Sequence, residues 1–142
     1  MNSILSLLPK PISVLPGQKG SVEVNINTSG DEVTAVQLEI AYDPNMISNI
    51  QVTPGGLFVN PVILIDKNRV REGRYTYAYG IAPNNSPVQG NGAVATISFT
   101  ALNKPGEMSQ LALLPSTLVT ARGISNSVLK LAEGTLVQIG QP

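Results

Sequence analysis

The chain contains no cysteine, no histidine and no tryptophan. Without cysteine, disulfides and thiolate metal sites are excluded. Without histidine, the commonest general base is missing, and neither a Cys–His nor a Ser–His–Asp nucleophile system can be assembled. Charge is scarce too: Asp, Glu, Lys and Arg make up 13% of the residues, against roughly 25% in ordinary soluble domains. The 9 basic and 9 acidic residues cancel. With no basic patch and no polybasic run, neither nucleic acid nor an anionic membrane is an expected partner. No apolar run approaches the ~20 residues of a membrane span. The first eight residues lack a positive n-region, a long apolar core and a small-residue cleavage site. They read as an opening strand and not as a signal peptide. Any targeting signal or anchor is expected in a longer parent.

What is present is alternation. Val36, Leu38, Ile40 and Tyr42 point one way, and Ala35, Gln37, Glu39 and Ala41 the other. A period of two is a β-strand with one apolar and one wet face. Asp43-Pro44-Asn45 then stops it, because proline has no N–H for a ladder and the flanking Asx residues favour a turn. Turn signals recur at a spacing of roughly 8 to 15 residues, the punctuation of a sandwich. Between them the sequence predicts strands at Ser3–Leu8, Ser21–Thr28, Ala35–Tyr42, Ile47–Val52, Val59–Ile65, Arg74–Ile81, Ala93–Leu102, Leu111–Leu114, Thr117–Ala121 and Thr135–Ile139. Asn91-Gly92 reads as a hairpin-type signal, and Pro105-Gly106 fits the centre of a type II turn. No long segment holds a 3.6-residue period, which leaves room only for short helical turns near 44–48 or 125–129. The expected fold is all-β, a sandwich of about nine strands. At 142 residues it forms one domain over 1–139, with 140–142 beginning a linker.

Few residues suggest chemistry. The nine acids are scattered, most beside Gly, Pro or Asn, so a paired-carboxylate glycosidase site is not expected and the chain reads as a non-enzyme. Asp43-Pro44-Asn45 and Asp66-Lys67-Asn68 each offer two side-chain oxygens. Calcium needs about six to eight, so both read as turns and no metal site is predicted. Tyr75, Tyr77 and Tyr79 share one face. They either stack on sugar rings or fill the core. The opposite face of Arg74, Thr76, Ala78 and Gly80 could not fill a sandwich, which favours core. Gln37 and Glu39 are either an ordinary solvated face or a contact surface.

A resemblance bears on that choice. Ala35 to Asn45, followed by Ile47 to Gly55, resembles the cohesin family: an alternating strand, Tyr-Asp-Pro, an apolar strand and a Gly-containing turn. Val22-Glu23-Val24-Asn25-Ile26 is similar to the family's second strand, and Tyr77-Ala78-Tyr79 to its Phe-x-Phe. Gly92 to Phe99 resembles its Gly-Val-Phe-Ala-x-Ile-x-Phe strand, and Gly134 to Ile139 its closing strand. The match runs in order along nearly the whole chain. It implies a nine-stranded jelly roll, located outside the cell or on its surface, that binds dockerin, a small calcium-loaded helical module. The calcium belongs to the dockerin and this chain needs no cofactor. The implied docking sheet is formed by strands eight, three, six and five. Carried over, its contact positions are Ala35, Gln37 and Glu39 on strand three and Thr76 and Ala78 on strand six. Asp66, with Val62 or Ile63, comes from strand five, and Thr120 and Arg122 from near strand eight. Asn84 and Asn85 lie in a rimming loop over 84–90. Many type I cohesins carry Asn and Asp where this chain has Ala35 and Gln37, and use them to read a Ser/Thr pair on the dockerin. The alternatives are a carbohydrate-binding module of similar shape, marked by exposed tyrosines, and a spacer domain of a surface protein.

Overall fold

Residues 1–141 are described by the computed structural model. Two β-sheets face each other. The first, of five strands, runs in the order β11 (Leu129–Glu133), β1 (Ser3–Leu8), β3 (Lys19–Asn27), β8 (Asn91–Ala101), β5 (Ile47–Pro54). The second has seven. Its path is β2 (Ile12–Val14), β12 (Thr135–Ile139), β9 (Met108–Leu113), β4 (Val33–Ala41), β7 (Arg74–Gly80), β6 (Val62–Arg69), and β10 (Leu118–Ala121) also pairs with β4. All pairings are antiparallel except β1 with β11 and β2 with β12.

The inner faces are the apolar halves of the alternations. Leu5, Leu7, Val22, Val24, Ile26, Ile97 and Phe99 from the first sheet meet Val36, Leu38, Ile40, Leu111, Val119, Val137 and Ile139 from the second, all at most 2% exposed. Each such side chain contributes roughly 1.5–3 kcal/mol by leaving water. The three strand tyrosines complete this core, with Tyr75, Tyr77 and Tyr79 exposed by only 6%, 1% and 0%. Tyr79 packs at a tilt against Phe58 and Tyr77, with ring centroids 5.0 and 5.6 Å away and ring planes 58° and 45° apart. Three phenol ends find acceptors: Tyr42 donates to Asn68 Oδ1 at 2.5 Å and Tyr75 to Asp66 Oδ1, both part-buried, and Tyr79 to the buried Val94 carbonyl, while the buried Tyr77 hydroxyl has no partner among the described residues.

The all-β sandwich matches the expectation of about nine strands, and the described residues form twelve, with Leu111–Leu114 and Thr117–Ala121 as two separate strands. The short strands β2 and β11 were not predicted. Each pairs in parallel with a strand distant in sequence, so no hairpin signal announces it. β9 and β10 lie one after the other along the same edge of β4, interrupted at Pro115, which cannot donate to the ladder. Around that break the Leu114 N–H donates to the Glu39 carbonyl and the Glu39 N–H to Thr117 Oγ1, at 2.8 and 3.2 Å. β6 begins at Val62, not Val59, and runs on through Asp66-Lys67-Asn68, which is therefore strand and not the expected turn. Asn91-Gly92 is likewise inside β8, paired with Asn27 and Ile26. The turn falls one residue earlier, at Gly90 with φ of 111°. Near 44–48 the chain makes a single turn, with the Met46 and Ile47 N–H groups both donating to the Asp43 carbonyl at 3.0 and 3.1 Å, while 125–129 is not helical. The one helix described is the 3-10 turn Val70–Glu72. Asp43-Pro44-Asn45 turns as expected, with the Asn45 N–H donating to Asp43 Oδ1 at 2.9 Å. Gly106 has the positive φ, 80°, of a type II turn. The last strand ends at Ile139, and Gly140 N–H still donates to the Val14 carbonyl. Pro142, in the expected linker, lies outside the described residues.

Candidate docking face

The outer side of the seven-stranded sheet is built by register. In antiparallel pairs, partners share a face. β4 pairs with β7, and β7 with β6, so Glu39, Thr76 and Lys67 form one row across the three strands. A second row runs Leu118, Gln37, Ala78, Ile65, and a third Thr120, Ala35, Gly80, Val62. On the other side of the Glu39 row lies Ala112, Ala41, Arg74, Arg69.

At the centre is a closed network. Thr76 Oγ1 donates to Glu39 Oε1 at 2.7 Å, and Gln37 Nε2 to Glu39 Oε2 at 2.8 Å. Both carboxylate oxygens are thus engaged and the three side chains hold one another in place. Around them, Leu118 is 40%, Ile65 38% and Val62 40% exposed. Aliphatic side chains left bare beside fixed polar groups are characteristic of contact surfaces. β6 is an edge strand with every residue exposed. Its charged Asp66, Lys67 and Arg69 guard it against pairing with another chain.

Of the expected contact residues, Ala35, Gln37, Glu39 and Thr76 lie together on this face, half-buried. Two placements need correction. Ala78 is only 5% exposed, between Gln37 and Ile65 in its row, and forms floor rather than contact. Asp66 registers with Tyr77, on the reverse of the strand, and accepts the Tyr75 hydroxyl. That acceptor, with desolvation as the larger cause, pushes the Tyr75 phenol well above its ordinary value. The misplacement follows from the shifted start of β6 and from a bulge between Ile63 and Ile65, which inverts the alternation. For the same reason Val62 shares the outer row while Ile63 registers with the inward Tyr79. Thr120 reaches the face beside a second bulge in β4, where Thr34 is the extra residue and the two threonine hydroxyls lie 3.2 Å apart. Arg122, just past β10, makes a bidentate pair with Glu32, both bonds at 2.9 Å. Asn84 and Asn85 bound the Gly80 end, where Asn85 Nδ2 donates to the Val59 carbonyl at 3.4 Å. The sequence reading missed Leu118, Ile65, Lys67 and Arg74. The alternation that carried Thr120 also carries Leu118, whereas Ile65 and Lys67 reach the face only through the bulge between Ile63 and Ile65.

A family model described as the cohesin domain matches residues 9–136. The chain belongs to the cohesin family. That family is one of non-catalytic binding modules found in cellulosomal scaffoldins. Solved structures of similar shape include the third cohesin of ScaC in complex with the ScaB dockerin from Acetivibrio cellulolyticus. It is 17% identical with a TM-score of 0.78, over 99% of this chain and 100% of that one. The solution structure of CaCohA2 from Clostridium acetobutylicum is 18% identical with a TM-score of 0.76, over 97% and 90%. A type II cohesin from Acetivibrio cellulolyticus, in complex with an X-dockerin, is 19% identical with a TM-score of 0.71, over 94% and 98%. At these identities the likeness shows the fold alone. No curated protein matches this cohesin.

Proposed function

We propose that this cohesin is a non-catalytic docking module. It receives a calcium-loaded dockerin on the outer face of the seven-stranded sheet, across β9/β10, β4, β7 and β6. Its place is outside the cell, secreted or surface-attached, where it joins a dockerin-bearing protein to a cellulosome-like assembly. The observation that carries this reading is the fixed Gln37–Glu39–Thr76 network among uncovered aliphatic side chains. Groups held in place before binding lose little entropy when a partner lands. The strand order agrees with the sheet that the sequence resemblance implies for docking. Buried tyrosine rings leave no aromatic strip for sugars, which weighs against the carbohydrate-binding alternative.

The test is calorimetry against a panel of purified dockerins, with and without a calcium chelator. One-to-one binding that disappears with the chelator and weakens in Gln37→Ala and Glu39→Ala supports the reading. Silence across the panel, or binding untouched by both substitutions, removes it.

A further inference from the structure

The rows of the face are not equivalent in charge. At the β10 end, Arg122 and Glu32 neutralise one another bidentately. At the opposite end the acids hold other donors, the neutral ones leaving the charges of Glu39 and Asp43 in place. Both oxygens of Glu39 are taken by Gln37 and Thr76, Glu72 is paired with Arg69 at 3.3 Å, and Asp43 Oδ1 accepts the Asn45 N–H. Two cations there, Lys67 and Arg74, have no ion-pair partner among the described residues.

Arg74 is also fixed in place. Its Nη1 donates to the Glu72 and Gly73 carbonyls at 3.3 and 3.0 Å. Gly73 has φ of 64°, and a Cβ there would lie 2.1 Å from the Tyr42 carbonyl oxygen. The Tyr42 N–H donates to the Gly73 carbonyl at 2.9 Å. Only glycine permits this close approach, and the approach locks the turn that aims Arg74. With Nη1 occupied, Nη2 and Nε remain as donors for a planar acceptor. The guanidinium borders an open recess of about 500 Å³, lined also by Ala41, Ala112, Met108, Gln110 and Asp43. Ala41 and Ala112 are register partners on the outer side, and Met108 is 60% exposed beside them.

We infer that this end of the face sets partner specificity by taking a helix that presents a carboxylate next to an aliphatic side chain. The carboxylate meets Arg74, within reach of the Lys67 field, and the aliphatic group enters the recess against Ala41, Ala112 and Met108. The inference rests on the docking reading above and adds the chemistry of the partner. A carboxylate on a forked guanidinium gives both charge and geometry. Charge complementarity of this kind discriminates among partners more than it adds raw affinity.

The test uses those dockerins of the panel that bind the unmodified protein. Arg74→Glu is expected to weaken them by about tenfold or more and Arg74→Gln by less, with affinity falling as salt rises. A dockerin in which the facing Asp or Glu is replaced by Lys should bind Arg74→Glu better than it binds the unmodified protein. Should Arg74→Glu fail to fold, the salt dependence of the unmodified protein and the Arg74→Gln affinity decide. Dockerins that bind equally well to both Arg74 variants, or with no salt dependence, overturn the inference and leave the docking reading standing. If no dockerin binds at all, the docking reading fails and this one falls with it.

Discussion

The two sheets both turn an apolar inner face to one shared core, and their outer faces differ. On the five-stranded sheet the outer rows are Ser21, Ser98 and Gln51, then Glu23, Thr96 and Thr53, then Lys19, Thr100 and Ser48. These rows across β3, β8 and β5 are short hydroxyls and amides with a few charges, and bare leucines, Leu8 and Leu131 at 43% and 49%, stand only toward the β1–β11 side. On the seven-stranded sheet the outer rows mix a locked Gln37–Glu39–Thr76 network with bare Leu118, Ile65 and Val62 and with Lys67 and Arg74, which have no ion-pair partner among the described residues. Folding needs only that one side of each sheet be apolar. It places no such demand on the other side, so a departure there from plain polarity points to work done outside the molecule.

The largest effects should ignore this difference. Leu38→Ala and Ile97→Ala remove fully buried side chains from opposite sheets. Each is expected to cost about 2–5 kcal/mol in urea unfolding, because both leave a cavity in one shared core. A markedly smaller cost for either would mean that the sheets do not share the core equally.

The comparison itself is broken or upheld at the next level. Glu39→Ala, on the seven-stranded sheet, is expected to weaken dockerin binding by on the order of 2 kcal/mol, about 30-fold. Thr96→Ala, a half-buried outer position like Glu39 but on the five-stranded sheet, should leave the affinity unchanged in the same calorimeter. Equal losses would mean that the face has been assigned to the wrong sheet.

A titration sharpens it further, since all four tyrosines belong to the seven-stranded side. Desolvation raises the phenols of Tyr42, Tyr75, Tyr77 and Tyr79 above their ordinary value near 10. A raised phenol pKa favours the folded state fully below that value, and the contribution is lost as pH rises through the folded pKa. Phenolate absorbance should therefore rise later than that of free tyrosine while circular dichroism still reports a folded protein. Phenolate forming in the folded protein as early as in free tyrosine would place at least one ring in water.

The smallest effect belongs to Arg122. Its pair with Glu32 is well formed but exposed, 63% and 41%. Arg122→Ala should change stability by less than about 1 kcal/mol in the same unfolding assay.

Legibility followed the range of the interactions. The β4 alternation, the Asp43-Pro44-Asn45 stop and the burial of the three tyrosines were readable, because each is decided by neighbours a few residues away. The tyrosines were read through their own reverse face: Arg74, Thr76, Ala78 and Gly80 could not have filled a core. What could not be read was decided by distant partners. Asp66 looked like a turn residue and then like a contact, yet it lies in an exposed edge strand on the side that carries the tyrosines. A bulge at Ile63–Ile65 flips the alternation, and the Tyr75 hydroxyl rewards the flip with a hydrogen bond. Arg74 carried no local signal at all, because its meaning depends on a glycine turn closing against Tyr42 and on alanines supplied by two other strands.

By itself, then, the sequence determined the chemistry that is absent, the class of fold and the inner half of each long strand, since composition and a two-residue period act locally. Only the tertiary structure decided which outer side chains stand beside one another. A sheet assembles its surface from strands far apart in the chain, and the register between them, shifted by each bulge, is set by packing that no single segment contains.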